Sequence, residues 1–290
     1  MIHWIHKSMR IAFLAALLLA GSSAWAAYTC SVTVSSISVV YSPTVATENI
    51  STGTVTVSCT RLMGDPATLN YSVRANNGLQ PTGAINRVQL GASTDRYQYE
   101  LYRQTPYTNP NRWQNNAATQ IAGTLNFGAA LSATDTRTFD LRLAGSQAVR
   151  PAGTYTDTVT ATLRDTGTGT ILATTTLSVS VITTNSCEIE TSPGAMSFAY
   201  TSFQAAAAAA STNFSVRCTT GLPYTLALDA TSGTLLGLNY SLALSAASAT
   251  GTGVVQNYSI SGTIAASQAG TCGSLGSCSG SQTRTLTITY

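Results

Sequence analysis

The sequence predicts an all-β protein, and three observations lead to this class. Threonine, serine, glycine and valine are abundant, and only 9% of the residues are charged. Apolar residues alternate with hydroxyl-bearing residues in many segments, which is the period of a half-buried β-strand. No long segment has a helical period. The run Ala205–Ala210 lacks an amphipathic pattern, and we interpret it as a connecting loop with room for one helical turn.

Residues 1–26 are predicted to be a targeting segment. Lys7 and Arg10 precede the apolar stretch Ile11–Gly21, and Ala24-Trp25-Ala26 has the small residues of a cleavage site. The apolar stretch is too short for a stable membrane span. We therefore expect an exported chain that begins at Ala27.

Removal of this segment limits the chemistry of the mature chain. It takes away both histidines and the only lysine, and the net charge falls from +3 to about +1. So weak a charge does not favour nucleic acid or an anionic membrane as a partner. Without histidine there is no catalytic triad, and the carboxylates are scattered, so we expect no enzyme and no cofactor.

The cysteines reveal an internal repeat and two domains. Cys30 and Cys59 are spaced almost as Cys187 and Cys218 are, and each second cysteine ends a strand pattern and is followed by threonine. In an exported chain this predicts one disulfide in each half, worth roughly 3–4 kcal/mol. Cys272 and Cys278 are expected to close a small local loop. Without histidine or a C-x-x-C pair, no metal site is predicted.

The two predicted domains, 27–183 and 184–290, differ at their ends. The first continues through Gly153–Leu163 and then adds a further strand, Thr174–Ile182. The second has the equivalent of the earlier strand, T-R-T-L-T-I-T-Y, and nothing after Tyr290. Leu286, Ile288 and Tyr290 alternate along this strand and predict an open edge that another chain could fill.

The sequence resembles the spore coat protein U domain family, which includes the pilin domain of archaic chaperone–usher pili. The residues that carry the resemblance in the first half are Cys30, Cys59-Thr60, Tyr99–Arg103, Arg112-Trp113 and Phe139–Leu163, with Gly153, Tyr155 and Asp157 resembling a family motif. In the second half they are Cys187, Cys218-Thr219, Leu238–Tyr240 and the terminal strand. The second half lacks the Gly-Tyr-Asp motif, and Cys272–Cys278 stands in that region.

The resemblance implies two immunoglobulin-like β-sandwich pilin domains, the second without its last strand. It implies that a periplasmic chaperone fills this gap first. The N-terminal donor strand of the adjacent pilin then replaces the chaperone at an outer-membrane usher. Only Ala27, Tyr28 and Thr29 precede Cys30 in the expected mature chain, too few to donate a strand. These features predict a tip subunit at the cell surface that mediates attachment and biofilm formation.

Three loops are predicted to point away from the second domain, because strand direction alternates in a sandwich. They are Arg61–Ala67, Thr105–Gln114 and Arg164–Leu172. The resemblance to tip adhesins implies that apolar loop residues contact an abiotic or host surface. The candidates are Leu62, Met63, Pro106, Tyr107, Trp113, Ile171 and Leu172. Trp113 fits a core position equally well, and Ile171 fits the end of a strand.

Two alternatives remain open at this stage. The chain could be a structural coat or minor pilus subunit without an adhesive role. It could also be a lectin-like tip that binds glycan through Asn109, Asn111, Arg112 and Trp113.

Overall fold

A computed structural model describes residues 28–271 and 277–290. The predicted targeting segment and Cys272 lie outside the described residues. The predicted all-β class is confirmed, and Asn109–Asn111 forms a short 3-10 turn. No helix in the described part of the chain is long and apolar enough to cross a membrane.

Ten strands belong to the first half of the chain. They are β1 (Thr29–Val34), β2 (Ile37–Val40), β3 (Asn49–Thr60), β4 (Thr68–Ala75), β5 (Asn86–Leu90), β6 (Arg96–Tyr102), β7 (Ile121–Asn126), β8 (Ser132–Leu143), β9 (Gly153–Asp165) and β10 (Ile171–Thr183). They form one curled sheet in the order β1-β3-β8-β6-β5-β9-β10-β2, with β4 paired to β7 and β9. The sheet folds over a single apolar core, as in a β-sandwich.

Strand β10 closes the first half. It pairs antiparallel with β9 and parallel with β2, so it lies between two strands of its own domain. Leu177, Val179 and Val181 point inward and are at most 1% exposed. The hydroxyl-bearing residues between them lie on the outer face. The predicted additional strand of this half is therefore present and completes its core.

Eight strands belong to the second half. They are β11 (Cys187–Thr191), β12 (Ala208–Cys218), β13 (Pro223–Leu228), β14 (Ser232–Leu235), β15 (Leu238–Leu244), β16 (Ser248–Thr250), β17 (Gln256–Ile264) and β18 (Leu286–Thr289). They form two sheets, β11-β12-β17-β15-β14 and β16-β13-β18, with a second apolar core. The predicted domain boundary lies between β10 and β11 and stays a prediction.

Two predicted disulfides are present. Cys30 bonds to Cys59 and Cys187 bonds to Cys218, and each bond joins the first strand of its domain to the strand that pairs with it. Cys278 is disulfide-bonded. Its predicted partner, Cys272, lies outside the described residues.

The interpretation of Ala205–Ala210 as a connecting loop is wrong for its last three residues. Ala208–Ala210 begin β12 and pair with Gly262–Ile264 of β17. Sheet pairing overrides the helix propensity of alanine here, because the neighbouring strand supplies backbone partners that an isolated helical turn would lack. The C-terminal strand is also shorter than its pattern suggests, since only Leu286–Thr289 pair with β13.

Candidate functional site

The edge of β18 is the first candidate site. In the sheet β16-β13-β18 this strand pairs with β13, and no strand in the described part of the chain pairs with its other edge. Leu286 and Ile288 are half-buried and pack against the second core. Tyr290, the third predicted edge residue, is 59% exposed. The edge therefore offers free backbone groups beside apolar side chains.

A groove of about 1150 Å³ lies beside this edge. Residues 278–286 form one wall, and residues 193–201 form the other. Its floor is apolar and comes from the larger sheet, through Leu235, Leu238, Leu242, Ile260 and Ile264. An extended chain with apolar residues at alternate positions is the kind of ligand that such a groove fits.

The second wall has the pattern of a strand but no strand pairing. Met196, Phe198 and Tyr200 are half-buried and alternate with exposed residues. Phe198 packs over Gly262 of β17, where a Cβ atom would lie 2.5 Å from the ring. The Tyr200 hydroxyl donates to the carbonyl of Ala265 at 3.0 Å. Side-chain contacts thus hold this segment in place, while its backbone before Thr201 stays available.

The first domain shows what would fill the groove. Aligning Cys30 with Cys187 places β2 and Tyr41 of the first domain on residues 194–198 of the second, so Tyr41 corresponds to Phe198. Likewise, the pair of β4 and β9 corresponds to the pair of β13 and β18. In the first domain β10 lies between β9 and β2. The groove is the corresponding place in the second domain.

A repeated hydrogen-bond pattern fixes the register of this alignment. In the first domain Asn76 N donates to Thr160 O at 3.0 Å, and Thr160 N donates to Asn76 Oδ1 at 2.8 Å. In the second, Asp229 N donates to Thr285 O at 3.0 Å, and Thr285 N donates to Asp229 Oδ1 at 3.1 Å. Thr160 and Thr285 are therefore equivalent positions.

The loop Arg61–Ala67 is the second candidate site. Leu62 is 70% and Met63 is 89% exposed. Arg61 holds the base of this loop, donating to the carbonyls of Asp65 at 2.8 Å and Gly128 at 3.0 Å. Leu62 N donates to Asp65 Oδ2 at 2.8 Å. The two apolar side chains are thus presented on a fixed turn.

Leu131 extends this apolar surface, and sequence reasoning missed it. It is 47% exposed, and its carbonyl accepts from Arg61 N at 2.9 Å, which places it beside the turn of Leu62 and Met63. The signal that could have found it is an apolar residue in the turn G-A-A-L, immediately before β8. We call Leu62, Met63 and Leu131 the distal apolar surface.

The loop after β9 lies near the same end of the domain. Thr166 N donates to Asn70 O at 3.0 Å, close to the start of β4. Ile171 is 52% exposed, whereas Leu172 is half-buried and packs against the core. This loop and Arg61–Ala67 follow strand ends opposite to Thr183, where the chain leaves for the second domain.

The middle loop, Thr105–Gln114, does not lie at the same end of the domain as the other two loops. Its strand β6 ends where Tyr102 pairs with Asp140, eight residues from the distal end of β8 at Ser132. At about 3.4 Å per residue this is roughly 27 Å away. The expectation that three loops share one end is wrong, because β6 ends partway along the sheet.

Trp113 is a core residue, so its prediction as a surface contact is wrong. It is 2% exposed, its Nε1 donates to Val73 O at 2.9 Å, and its ring lies 4.9 Å from that of Phe139. Pro106, in the same loop, is exposed. Burial of the large indole ring is favourable, because its only hydrogen-bond donor has a backbone partner.

Tyr107 is half-buried on the outer face of the sheet. Its hydroxyl donates to Asp140 Oδ2 at 3.2 Å, and its ring lies 5.1 Å from that of Tyr102. Desolvation and the Asp140 carboxylate raise the pKa of Tyr107. These contacts hold the side chain against its own sheet rather than toward an outside surface.

The proposed glycan-binding residues are largely engaged within the loop. Asn111 is 9% exposed and donates to Pro106 O at 2.8 Å. Arg112 forms an ion pair with Glu100. Asn109 remains exposed. Of the four predicted residues, only Asn109 has a side chain that points to solvent without such a contact, which disfavours a sugar site.

The described chain is thus a pair of β-sandwich domains, the first closed by its own β10 and the second open at a groove. The model of the Spore Coat Protein U domain matches residues 16–162 and 173–289. The chain belongs to the Spore Coat Protein U domain family. No curated protein matches it significantly.

The chain is similar to several solved structures at low sequence identity. The CupB6 tip adhesin from Pseudomonas aeruginosa is 10% identical, with a TM-score of 0.38 over 91% of this chain and 96% of that one. The CssB subunit of enterotoxigenic Escherichia coli CS6, complemented with a donor strand from CssA, is 14% identical. Its TM-score is 0.32, over 53% of this chain and 97% of that one. A chaperone–tip adhesin complex of CFA/I fimbriae is 11% identical, with a TM-score of 0.30 over 75% of this chain and 83% of that one.

Proposed function

We propose that this protein is a subunit of a chaperone–usher pilus whose second domain accepts an extended strand from a neighbouring subunit. The observation that carries the proposal is the groove between β18 and residues 193–201, which corresponds to the place of β10 in the first domain. Backbone hydrogen bonds to the free edge would supply affinity, and alternate apolar side chains would fill the groove. Family membership supports this assignment.

The same groove defines the partners in the proposal. A periplasmic chaperone covers it before assembly, because an open groove exposes apolar core and unpaired backbone together. The N-terminal strand of the adjacent pilin then replaces the chaperone at an outer-membrane usher. The protein passes through the periplasm and ends at the cell surface.

A peptide with the sequence of β10, residues 171–183, tests strand acceptance. The full chain, purified without a chaperone, is expected to aggregate, and this peptide should restore a soluble monomer. A peptide with aspartate at positions 179 and 181 should not restore it, because burial of unpaired carboxylates is costly. A chain that is monomeric and stable alone, and indifferent to both peptides, would refute the proposal.

We propose further that the protein stands at the pilus tip and mediates surface attachment and biofilm formation. Its first domain is already closed by β10, so this domain does not need a donated strand and its loops would be free for contact. Each residue of the distal apolar surface would contribute up to roughly 1.5–3 kcal/mol if fully buried against an apolar material. One tip would bind weakly, and many tips on one cell would bind strongly.

Substitution of Leu62 and Met63 by serine separates a tip adhesin from a structural subunit. In cells that assemble normal numbers of pili, an adhesin should lose attachment to a hydrophobic surface. Leu79→Ser is the matched control, since Leu79 is 67% exposed but lies in a different loop, with its N–H bonded to Asp157 Oδ1. Unchanged attachment of the double variant would favour a purely structural subunit.

A further inference from the structure

One charged residue lines the groove of the second domain. Among the described residues that form its walls and floor, Arg284 alone carries a charge. By the shared hydrogen-bond pattern of Thr160 and Thr285, Arg284 occupies the position of Val159 in the first domain. Val159 is fully buried and lies directly opposite Leu177 of β10. A guanidinium thus stands where the first domain has an apolar contact with its closing strand.

The contacts of Arg284 hold it in the groove but leave its charge incompletely paired. Its Nε donates to the Tyr240 hydroxyl at 2.9 Å, and its Nη2 donates to Ser232 O at 3.1 Å. The guanidinium carbon lies 5.6 Å from the centroid of the Tyr240 ring. Its Nη1 lies 3.8 Å from Asp229 Oδ2, too far for a hydrogen bond, and the Asp229 side chain is 42% exposed.

A strand in the place of β10 would cover this guanidinium. Removal of a charge from water is costly unless a charged partner with good geometry accompanies it. An apolar side chain opposite Arg284 would take water from Nη1 without replacing its hydrogen bonds. A carboxylate at that position would accept a charge-assisted hydrogen bond from it. The groove therefore discriminates between incoming strands by charge as well as by shape.

We propose that Arg284 is a specificity residue that selects a donor strand with Asp or Glu opposite it. The occupant is an extended segment of another subunit, apolar at alternate positions, with the acidic residue at the position where β10 carries Leu177. It runs antiparallel to β18, as β10 runs antiparallel to β9. The inference rests on the proposed function of this groove.

Peptides of residues 171–183 test the inference. The reference peptide has the natural Leu177, and its variants carry Leu177→Glu, Leu177→Gln or Leu177→Lys. The full chain, denatured with its disulfides intact, is refolded with each labelled peptide, and the dissociation constant is measured by fluorescence anisotropy at low and high salt. The glutamate peptide should bind about tenfold more tightly than the glutamine peptide, and salt should reduce this preference.

Variants of the chain identify the residue responsible. Arg284→Met should abolish the preference for glutamate over glutamine, and Arg284→Glu should favour the lysine peptide. Arg217→Met is the matched control, because Arg217 pairs with Glu190 on β11 and does not line the groove. It should keep the preference.

The failures of the two proposals are distinguishable. If the reference peptide binds but glutamate and glutamine peptides bind equally, the role of Arg284 is refuted and strand acceptance stands. A preference that persists in Arg284→Met has the same consequence. If no peptide of the series binds, strand acceptance itself is refuted, and the selection by Arg284 with it. The peptide series measured on the wild-type chain is enough to distinguish the two failures, so the test does not depend on the folding of the variants.

Discussion

A graft of the first domain's own hairpin should close the second domain. The register makes Asp165 and Tyr290 equivalent, because each lies five residues after one of the equivalent threonines, Thr160 and Thr285. Residues 166–183, appended after Tyr290, would therefore reproduce the turn and strand that follow β9. The copied strand would lie between β18 and residues 193–201.

The expected gain comes from three inward side chains. In β10, Leu177, Val179 and Val181 are each at most 1% exposed. At about 1.5–3 kcal/mol for each buried side chain, the gross contribution is roughly 5–9 kcal/mol, less the cost of covering the Arg284 guanidinium, which would lie opposite Leu177. Ordering the appended backbone opposes it, so the net gain is smaller. The same graft with Val179→Asp and Val181→Asp isolates the side-chain contribution, since buried unpaired carboxylates should cancel it.

Two optical signals separate the domains in this assay. Trp113 is the only tryptophan after residue 26, and its fluorescence reports on the first domain alone. Circular dichroism reports on the strands of both domains. In guanidinium titrations the graft should move the dichroism transition to higher denaturant and leave the fluorescence transition unchanged. It should also convert an aggregating chain into a monomer on size-exclusion chromatography.

The reasoning would be refuted by a chain ending at Tyr290 that is already monomeric and whose dichroism transition the graft does not move. Equal stabilisation by the graft and by its double-aspartate control would also contradict it, because the apolar positions would then have no role.

Two further predictions concern the first domain. Trp113→Ala should lower the free energy of unfolding by about 3–5 kcal/mol, because it empties a core position, whereas Met63→Ser should change it by less than about 0.5 kcal/mol; denaturant titration followed by circular dichroism measures both, and similar values would contradict the placement of Trp113 in the core. The free energy of unfolding should also fall as the pH rises from about 10 to 12. Burial raises the pKa values of Tyr71 and Tyr97 to about 12, so the unfolded chain loses these protons first and is favoured as the pH rises. Tyr71→Phe should weaken this dependence, and an identical pH profile in that variant would contradict the reasoning.

The local alternation of apolar and polar residues was sufficient to predict several of the strands. The alternation in Thr174–Ile182 and Gly153–Leu163 predicted β10 and β9, because successive side chains of a strand face opposite sides of the sheet and the residue order shows this period. The spacing of the cysteines predicted two disulfides. The alanine run was misread, since pairing with β17 decides its conformation and no local signal shows that pairing.

The candidate sites could be predicted only in part. Leu62 and Met63 were singled out because a turn does not require apolar residues, and both are exposed; their role in contact stays a prediction. The middle loop was misplaced, because the end of β6 depends on how far its pairing with β8 extends. The proposed role of Arg284 could not be predicted from the sequence either, because its equivalence to Val159 follows from the register of the sheets.

The sequence by itself determined the all-β class and the repeat of two halves. These properties depend on the order of residues within one strand or between paired cysteines. Only the tertiary structure decided that Trp113 is a core residue, that Leu131 lies beside Leu62 and Met63, and that the Arg284 side chain lines the open groove. Each of these depends on contacts between residues far apart in the chain, and strand register fixes such contacts only after the sheets have formed.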